Sequence, residues 1–253
     1  TGADGVIAVN QLLKQPADGY TLLANTTSLA TLASEPTATF KPDDLQMVAR
    51  SQLDPYGLVV PASIPFKTID ELVKYARANP GKITVGGVFQ MSAHRVAWEV
   101  FAETAKIKAE WVAYKGGGPG MIDLVGGQVQ AAFNNAISVM PHVRTGKIRA
   151  LGVGGDSRVS VLPGIPTFAE AGLPGFNASN WFGVVMPARA QRTPLQKLAN
   201  EIARIQSLAD FREKLALQGV EPFVSGPDVF AAFIKTEIVK YTKLVKAANV
   251  QLD

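Results

Sequence analysis

Hydrophobic and polar positions along residues 63–155 repeat in two alternating periods, one typical of helices and one typical of buried strands. Leu72 and Ala76 lie four residues apart on one helical face, and a capping pair, Thr68 with Glu71 three residues later, precedes them. The remaining elements of this region are expected at residues 83–85, 93–105, 111–114, 129–133, 138–144 and 149–153. Regular alternation of strands and helices favours a mostly parallel sheet that helices cover on both faces.

The segments on either side have a less regular pattern and also mix strands with helices. Their expected elements are a helix from Val6, a buried strand over residues 20–23, strands over residues 58–60 and 181–185, a short helix after a Thr167–Glu170 capping pair, and amphipathic helices over residues 195–208 and 230–245. The whole chain is therefore expected to have an α/β fold.

A glycine-rich turn joins one predicted strand to the next helix. Gly116, Gly117 and Gly118 follow Tyr114, and Pro119 is a favoured first residue of a helix. Backbone N–H groups at a helix start lie at the positive end of the helix dipole, and glycines let an anion approach them closely. From these residues alone two interpretations stay open, a tight strand-to-helix turn and a site for a carboxylate or a phosphate.

Small polar side chains follow two other predicted strands. They are Thr26, Thr27 and Ser28 in the first part of the chain, and Asn134 and Asn135 in the region of regular alternation. Open α/β sheets bind ligands beyond the carboxyl ends of their strands, so the hydroxyl side chains in the first part of the chain are candidate ligand contacts. Capping of the next helix is the other role open to these hydroxyl residues, and the two roles are compatible.

Acid–base and metal chemistry has few candidates in this sequence. The chain has two histidines, His94 and His142, and no cysteine, and neither histidine has the partner spacing of a metal site. Ser92 precedes His94 at a predicted helix start, where the histidine either donates to a bound anion or has a local structural role. Hydroxyls, amides and backbone donors remain, so we expect a binding site with no catalytic residue, no metal and no cofactor.

Composition narrows the class further. The 253 residues are 47% apolar and 18% charged, a globular profile with room for one large domain or two smaller ones. The formal net charge of +4 comes from scattered lysines and arginines, so a nucleic-acid surface is not expected. No apolar run approaches the ~20 residues of a membrane span, and the amino end has no signal-like segment, so we expect a soluble chain that is mature or trimmed.

Five segments in a fixed order over nearly the whole chain resemble one known family. They are PADGYTLL at 16–23, YKGGGPGMIDLVGGQVQAAF from Tyr114, PHVRTGKIRALGV from Pro141, LPGIPTFAEAGLPGF from Leu162 and WFGVVMPA from Trp181. Together they are similar to the substrate-binding proteins of tripartite tricarboxylate transporters, the Bug family.

The resemblance implies a fold, a function and a place of action. The expected fold is a two-lobed, type II-like periplasmic binding protein with its ligand in the cleft between the lobes. Residues 1–62 are expected to form the first part of one lobe, residues 63–155 the second lobe, and residues 156–253 the crossover and the return to the first lobe. The expected function is that of a monomeric periplasmic protein. It captures a small dicarboxylate, tricarboxylate or aromatic carboxylate for the membrane subunits of a transporter.

The resemblance also implies the ligand-binding residues. The hydroxyl-rich loop of the family falls on Asn25 to Ser28, its serine-to-histidine loop on residues 89–94, its YKG turn on residues 114–118, and its acidic or amide pair on Asn134 and Asn135. In the serine-to-histidine loop, Phe89 and Met91 replace small residues. They either form an apolar wall for an aromatic or longer carboxylate or pack beneath the loop.

The sequence departs from the family at its start, and one alternative function stays open. Members usually begin with a strand and a PFPPGG-type loop, and this chain starts after that point, so we expect that it lacks both. The alternative is a ligand-sensing domain of a regulatory system, because such domains share the two-lobed architecture. An enzyme is the least favoured class, since the motifs of nucleophilic, dinucleotide and phosphate chemistry are missing.

Overall fold

The structure, a computed structural model, describes residues 5–35, 38–88, 92–159, 163–174, 176–218 and 220–247. The helices are α1 (Val6–Leu13), α2 (Ser28–Ala33), α3 (Ile69–Ala78), α4 (Ala93–Ala105), α5 (Gly117–Val125), α6 (Ala136–Arg144), α7 (Arg192–Ser207), α8 (Ala209–Leu217) and α9 (Pro227–Ala247). The strands are β1 (Leu23–Thr26), β2 (Leu45–Pro61), β3 (Thr84–Val88), β4 (Glu110–Tyr114), β5 (Ala131–Asn135), β6 (Ile148–Val153), β7 (Ser179–Pro187) and β8 (Glu221–Ser225).

The described residues fall into two compact units. The first unit comprises Thr1–Leu53, Trp181–Leu215 and Glu221–Ala247, and the second comprises Asp54–Asn180 and Ala216–Val220. The long strand β2 belongs to both, because the division falls between Leu53 and Asp54. None of the helices in the described ranges is long and apolar enough to cross a membrane.

The first unit contains the strands β1, β7, the first half of β2, and β8, hydrogen-bonded in that order. Its longest helix, α9, packs aromatic rings against β7. The ring of Trp181 meets those of Phe230 and Phe233 nearly edge-on, with centroids 5.4 and 5.8 Å apart. Gly183 allows this contact, because a β-carbon there would lie 2.4 Å from the Phe230 ring. Side chains of α7, among them Leu195, pack in a separate apolar cluster with β2 and β7.

The second unit contains a sheet with the strand order β6, β2, β5, β3, β4. Strands β4 and β5 pair with β3 in parallel, whereas β2 runs antiparallel to β5 and β6. The expectation of a mostly parallel sheet is therefore correct for β3, β4 and β5 and wrong for β2, which enters the sheet from the opposite end. One core cluster includes Trp98, Phe101 and Phe133, and a second includes Leu124 and Val139 of α5 and α6.

Several predicted elements are shifted, and some were missed. The strand expected at residues 20–23 is wrong, because β1 begins at Leu23 and Tyr20 is 91% exposed in a turn where its N–H donates to the carboxylate of Asp18. The Thr167–Glu170 capping pair forms, but hydrogen-bonded turns follow it rather than a helix. The elements that the pattern did not predict are α2, α8 and β8. Helix α4 has the predicted bounds, Ala93–Ala105.

Candidate functional site

Three helices of the second unit begin at the same edge of its sheet. Strands β3, β4 and β5 run in one direction, and each leads into the next helix at its carboxyl end, α4, α5 and α6 respectively. Because β2 is antiparallel to β5, its first residues in this unit lie at that edge too, with Tyr56 opposite Asn135. Helix starts present N–H groups that have no acceptor within the helix, so this edge, the site edge, is rich in backbone donors.

The start of α5 is the most open part of the site edge. Gly116 precedes the helix with φ +117°, a conformation that side chains other than glycine rarely adopt. β-Carbons built on Gly116 and on Gly118 would meet no atom within 4 Å, whereas one on Gly117 would lie 3.3 Å from the Asn134 amide nitrogen. The structure therefore brings Asn134 to the start of α5 and leaves space beside the two flanking glycines.

Tyr114 fastens the turn to the helix that follows it. Its hydroxyl donates a hydrogen bond of 2.7 Å to Asp123 in α5, and its ring lies against Gly86 and Gly120, where β-carbons would come within 3.1 and 3.0 Å of the ring. Burial and then the Asp123 carboxylate raise the pKa of Tyr114 to about 12, so the phenol stays protonated at neutral pH. In this structure Tyr114 orients α5.

Ser92 organises the start of α4. Its Oγ accepts the N–H of Arg95 at 3.3 Å, which caps the helix, and donates to the carbonyl of Val88 at the end of β3. The residue is 2% exposed. The helix cap considered for residues of this type is thus the observed role of Ser92.

A buried hydrogen-bond relay connects β2, β5 and α4. The carboxylate Oδ2 of Asp54 accepts a hydrogen bond of 2.7 Å from the side-chain NH₂ group of Asn135. The side-chain oxygen of Asn135 lies 2.6 Å from Nε2 of His94. The other oxygen of Asp54 accepts the N–H of Ile137 at 3.3 Å, in the first turn of α6. The ring of Tyr56 lies beside that of His94, with centroids 4.5 Å apart. We call Asp54, Asn135 and His94 the relay.

Burial shifts both ionisable groups of the relay toward their neutral forms. It raises the pKa of Asp54 to about 6, against the opposing effect of its hydrogen bonds from Asn135, Ile137 and Ala136. It lowers the pKa of His94 to about 4, although the contact with Asn135 favours the charged imidazolium. At pH 7 the relay therefore contains an ionised Asp54 and a neutral His94.

The three hydroxyl residues of the first unit have internal partners. Thr27 is fully buried, and its Oγ1 accepts the N–H of Trp181 at 3.0 Å. Thr26 Oγ1 accepts the N–H of Ser28 at 3.3 Å. Thr27 occupies the N-cap position of α2 without a capping hydrogen bond from its side chain. Ligand contacts by Thr26, Thr27 and Ser28 stay predictions from the sequence.

The remaining predicted residues divide by where the structure places them. Ser92, His94, Tyr114, the three glycines, Asn134 and Asn135 lie on elements that meet at the site edge, whereas Phe89 and Met91 lie outside the described residues. Sequence reasoning missed Asp54 and Tyr56. The available signal was an acid followed by Pro55 inside an otherwise apolar run, since a buried acid needs specific partners.

Neutral donors dominate the site edge. Backbone N–H groups and the side-chain amide of Asn134 are suited to hold the oxygens of an anion. The Ser92 hydroxyl donates to Val88 and the side chain of Asn135 donates to Asp54, so ligand contacts by these two residues stay predictions from the sequence. Within the described ranges, no group of three or more histidine or acidic side chains is arranged to hold a metal ion. The arrangement is that of a binding site for a small anionic solute.

Comparison with known proteins gives consistent matches along the chain. The family described as "Tripartite tricarboxylate transporter family receptor" matches residues 1–250. Protein BugT of Bordetella pertussis is 32% identical over 255 residues, which cover 99% of this chain and 78% of BugT.

Two solved structures of Rhodopseudomonas palustris proteins are also similar. Rpa4515 with adipate superposes with a TM-score of 0.93 at 29% identity, over 98% of this chain and 84% of that one. MatC with bound malate superposes with a TM-score of 0.88 at 26% identity, over 96% and 85% of the two chains. These matches confirm the expected α/β fold of a periplasmic binding protein.

Proposed function

The chain belongs to the tripartite tricarboxylate transporter receptors, the Bug family, and from this premise we propose that it is a periplasmic receptor for a small dicarboxylate. The family consists of substrate-binding receptors, so the chain is a receptor and not an enzyme. In the proposed function, the protein binds its solute as a monomer and delivers it to the membrane subunits of a transporter.

The observation that carries the proposal is the open start of α5 at the site edge. Anions bind well at helix starts, because N–H groups point toward them and the helix dipole favours negative charge. Space beside Gly116 and Gly118 lets a carboxylate oxygen approach the backbone closely, and the Asn134 amide lies next to Gly117. We therefore assign one carboxylate of the solute to the first turn of α5.

Neutral hydrogen-bond donors make this site suited to a receptor that must also release its solute. A fully ionic site would bind a dicarboxylate tightly, whereas hydrogen bonds from backbone and amide groups contribute about 0.5–1.5 kcal/mol each, or roughly twice that to a charged acceptor. The His94 ring, neutral at pH 7, fits this pattern because it adds no positive charge.

The choice of a dicarboxylate is supported by the two similar structures. Rpa4515 was solved with adipate and MatC with malate, and both solutes carry two carboxylates. Tricarboxylates and aromatic carboxylates are the other solutes that the sequence suggested, and they belong in any binding screen.

A thermal-shift screen tests the proposed function. Adipate, malate, a tricarboxylate such as citrate and an aromatic carboxylate such as benzoate are each added to the purified chain. A solute present at a hundred times its Kd raises the free energy of unfolding by about 2.7 kcal/mol, which shifts the Tm by several degrees. We expect a dicarboxylate to give the largest shift, and no shift with any carboxylate would contradict the proposal.

A matched pair of glycine variants then locates the site. Gly118→Ala places a methyl group in the open space at the start of α5, and Gly164→Ala places one in equally open space outside the site edge. Neither glycine has a positive φ, so both variants are expected to fold. Weaker dicarboxylate binding by Gly118→Ala alone supports the assignment, whereas equal affinities in the two variants would contradict it.

A further inference from the structure

The buried carboxylate of Asp54 has no direct role in the proposed binding of a solute. It is 0% exposed, it lies on the antiparallel strand β2, and its partners are Asn135 of β5 and the first turn of α6. Burying a carboxylate away from water is costly unless hydrogen bonds satisfy it, and side-chain amide and backbone N–H groups supply them here. The same hydrogen bonds constrain the groups that donate to Asp54.

Asp54 decides which way the amide of Asn135 faces. An ionised carboxylate only accepts hydrogen bonds, so Asn135 must turn its NH₂ group toward Asp54 and its oxygen toward His94. The backbone N–H of Asn135 separately donates to Asn134 Oδ1 at 2.9 Å and holds the side chain beside Gly117. The buried charge of Asp54 thus orients the side-chain amide of Asn135 at the site edge.

The orientation of Asn135 in turn decides the protonation of His94. An amide oxygen 2.6 Å from Nε2 requires a proton on that nitrogen. A neutral imidazole carries only one N–H, so Nδ1 is left as an acceptor. The tautomer of His94 therefore follows from the charge of Asp54, two hydrogen bonds away.

We propose that Asp54 is a positioning residue of the solute site, which acts through the side chain of Asn135 to hold His94 as the neutral Nε2–H tautomer. This inference rests on the proposed function for its effect on binding. Its structural part, the tautomer of His94, does not depend on any solute.

The groups packed around Asp54 come from four elements. They are Tyr56 of β2, Asn135 of β5, the N–H groups of Ala136 and Ile137 in α6, and His94 of α4 behind Asn135. His94 is the ionisable group that the relay connects to Asp54, and it is neutral above pH 4. Asp54 is therefore the group whose charge changes between pH 5 and pH 7, since its pKa is about 6.

The first test is NMR of the unliganded protein with ¹⁵N-labelled histidine. The chain has two histidines, so assignment needs a single His142→Gln variant. We expect His94 at pH 7 to show one tautomer with its proton on Nε2. A proton on Nδ1, or an imidazolium at pH 7, would overturn the proposal without any variant of Asp54.

The second test compares adipate and malate binding by Asp54→Asn with binding by the wild type, using calorimetry from pH 5 to pH 7.5. Asp70→Asn is the matched control, because it removes one carboxylate from the exposed pair with Lys74 in the same unit. At pH 7.5 we expect Asp54→Asn to bind about fivefold more weakly, the difference between a charge-assisted and a neutral hydrogen bond. The Asp70→Asn affinity should equal that of the wild type.

The pH profile separates positioning from packing. A protonated Asp54 resembles asparagine in charge and size, so the wild-type and Asp54→Asn affinities should converge below pH 6. Protonation of the solute itself affects both proteins equally and cancels in the ratio of the wild-type affinity to the Asp54→Asn affinity. A ratio that stays constant with pH, or equal affinities at pH 7.5, would overturn the proposal.

A charge swap keeps the test decisive if Asp54→Asn alone folds poorly. In the double variant Asp54→Asn with Asn135→Asp, the carboxylate contacts His94 directly and should raise its pKa above the wild-type value. An unchanged His94 titration would overturn the relay. Failure of every carboxylate to bind the wild type would instead contradict the proposed function, and the tautomer measurement would still decide the role of Asp54.

Discussion

Among the residues that the structure describes, each unit buries one carboxylate, and the two are held in opposite ways. In the first unit, Glu237 receives hydrogen bonds from Trp181 Nε1 at 3.2 Å and Lys240 at 3.0 Å, and the charge of Arg50 acts on it. The Arg50 guanidinium lies between the rings of Phe223 and Phe233, 3.7 and 3.9 Å from their centroids. In the second unit, Asp54 is held by amide and backbone donors alone among the described residues.

The difference indicates two uses of a buried acid. A carboxylate placed among cations fixes the packing of the aromatic rings around them. A carboxylate held by neutral donors has a pKa close to physiological pH, and its charge can control the orientation of its neighbours. We therefore expect Glu237 to matter for stability and Asp54 for the site.

Removal of the acid in the first unit should have the largest effect. Glu237→Ala leaves the Trp181 N–H without its acceptor and removes the negative charge that acts on the buried Arg50, which we expect to lower the free energy of unfolding by about 3–5 kcal/mol. Glu237→Gln keeps an acceptor for Trp181 and should lose less. Chemical denaturation measures both, and a Glu237→Gln variant as stable as the wild type would mean that the charge of Glu237 has no role.

The acid in the second unit should change how stability depends on pH. A raised pKa means that Asp54 contributes stability below its unfolded value of 3.8, which is lost as the pH rises through about 6. From pH 6 down to pH 4, the wild type should therefore gain about 2 kcal/mol relative to Asp54→Asn. Denaturation at several pH values measures this difference.

His94 should give the opposite dependence of stability on pH in the same protein. Its lowered pKa means that its stabilising contribution is present above pH 6.5 and is lost as the pH falls through about 4. In the wild type the two groups offset each other between pH 4 and pH 6, and Asp54→Asn removes the offset. A wild-type and variant difference that does not change with pH would contradict the assignment of a buried, ionised Asp54.

A smaller effect is expected at the start of α4. Ser92→Ala removes the hydroxyl that ties the end of β3 to the first turn of α4, and should weaken dicarboxylate binding by about 1–2 kcal/mol. Loss of the helix cap should also cost about 1 kcal/mol of stability, so the protein remains folded. Calorimetric titration measures the affinity, and an unchanged Kd would remove Ser92 from the site.

The smallest expected effect is at Tyr114. Tyr114→Phe removes the hydrogen bond to Asp123 but keeps the ring between Gly86 and Gly120, so the free energy of unfolding should fall by about 1 kcal/mol. Solute affinity should change little if the hydroxyl only orients α5. A large loss of affinity with unchanged stability would make Tyr114 a ligand contact instead.

Local sequence patterns were sufficient to predict much of the secondary structure of the second unit. The apolar spacing over residues 93–105 predicted α4 with its observed bounds, and the glycines with Pro119 predicted the turn into α5. These features depend on residues a few positions apart, which the sequence displays directly. The resemblance to a family then supplied the function, which no local pattern contains.

Contacts between residues far apart in the sequence could not be predicted from local patterns. Asp54 meets Asn135 across 81 positions of the sequence, and the antiparallel entry of β2 that creates this contact has no local signature. Tyr20 looked buried because its neighbours are apolar, yet the turn at Asp18 delays the strand and leaves the ring exposed. Pairing with a distant strand therefore decides the burial of Asp54, and a local turn that the apolar pattern does not show decides the exposure of Tyr20.

The most direct test of the account is an NMR titration of ¹⁵N-glycine-labelled protein with adipate and malate. We expect the amides of Gly116, Gly117 and Gly118 to shift in a saturable way, because a carboxylate binds at the start of α5, while Gly164 and Gly226 remain unchanged. Saturable binding that leaves the three glycines of the α5 turn unshifted would contradict a solute site at this edge.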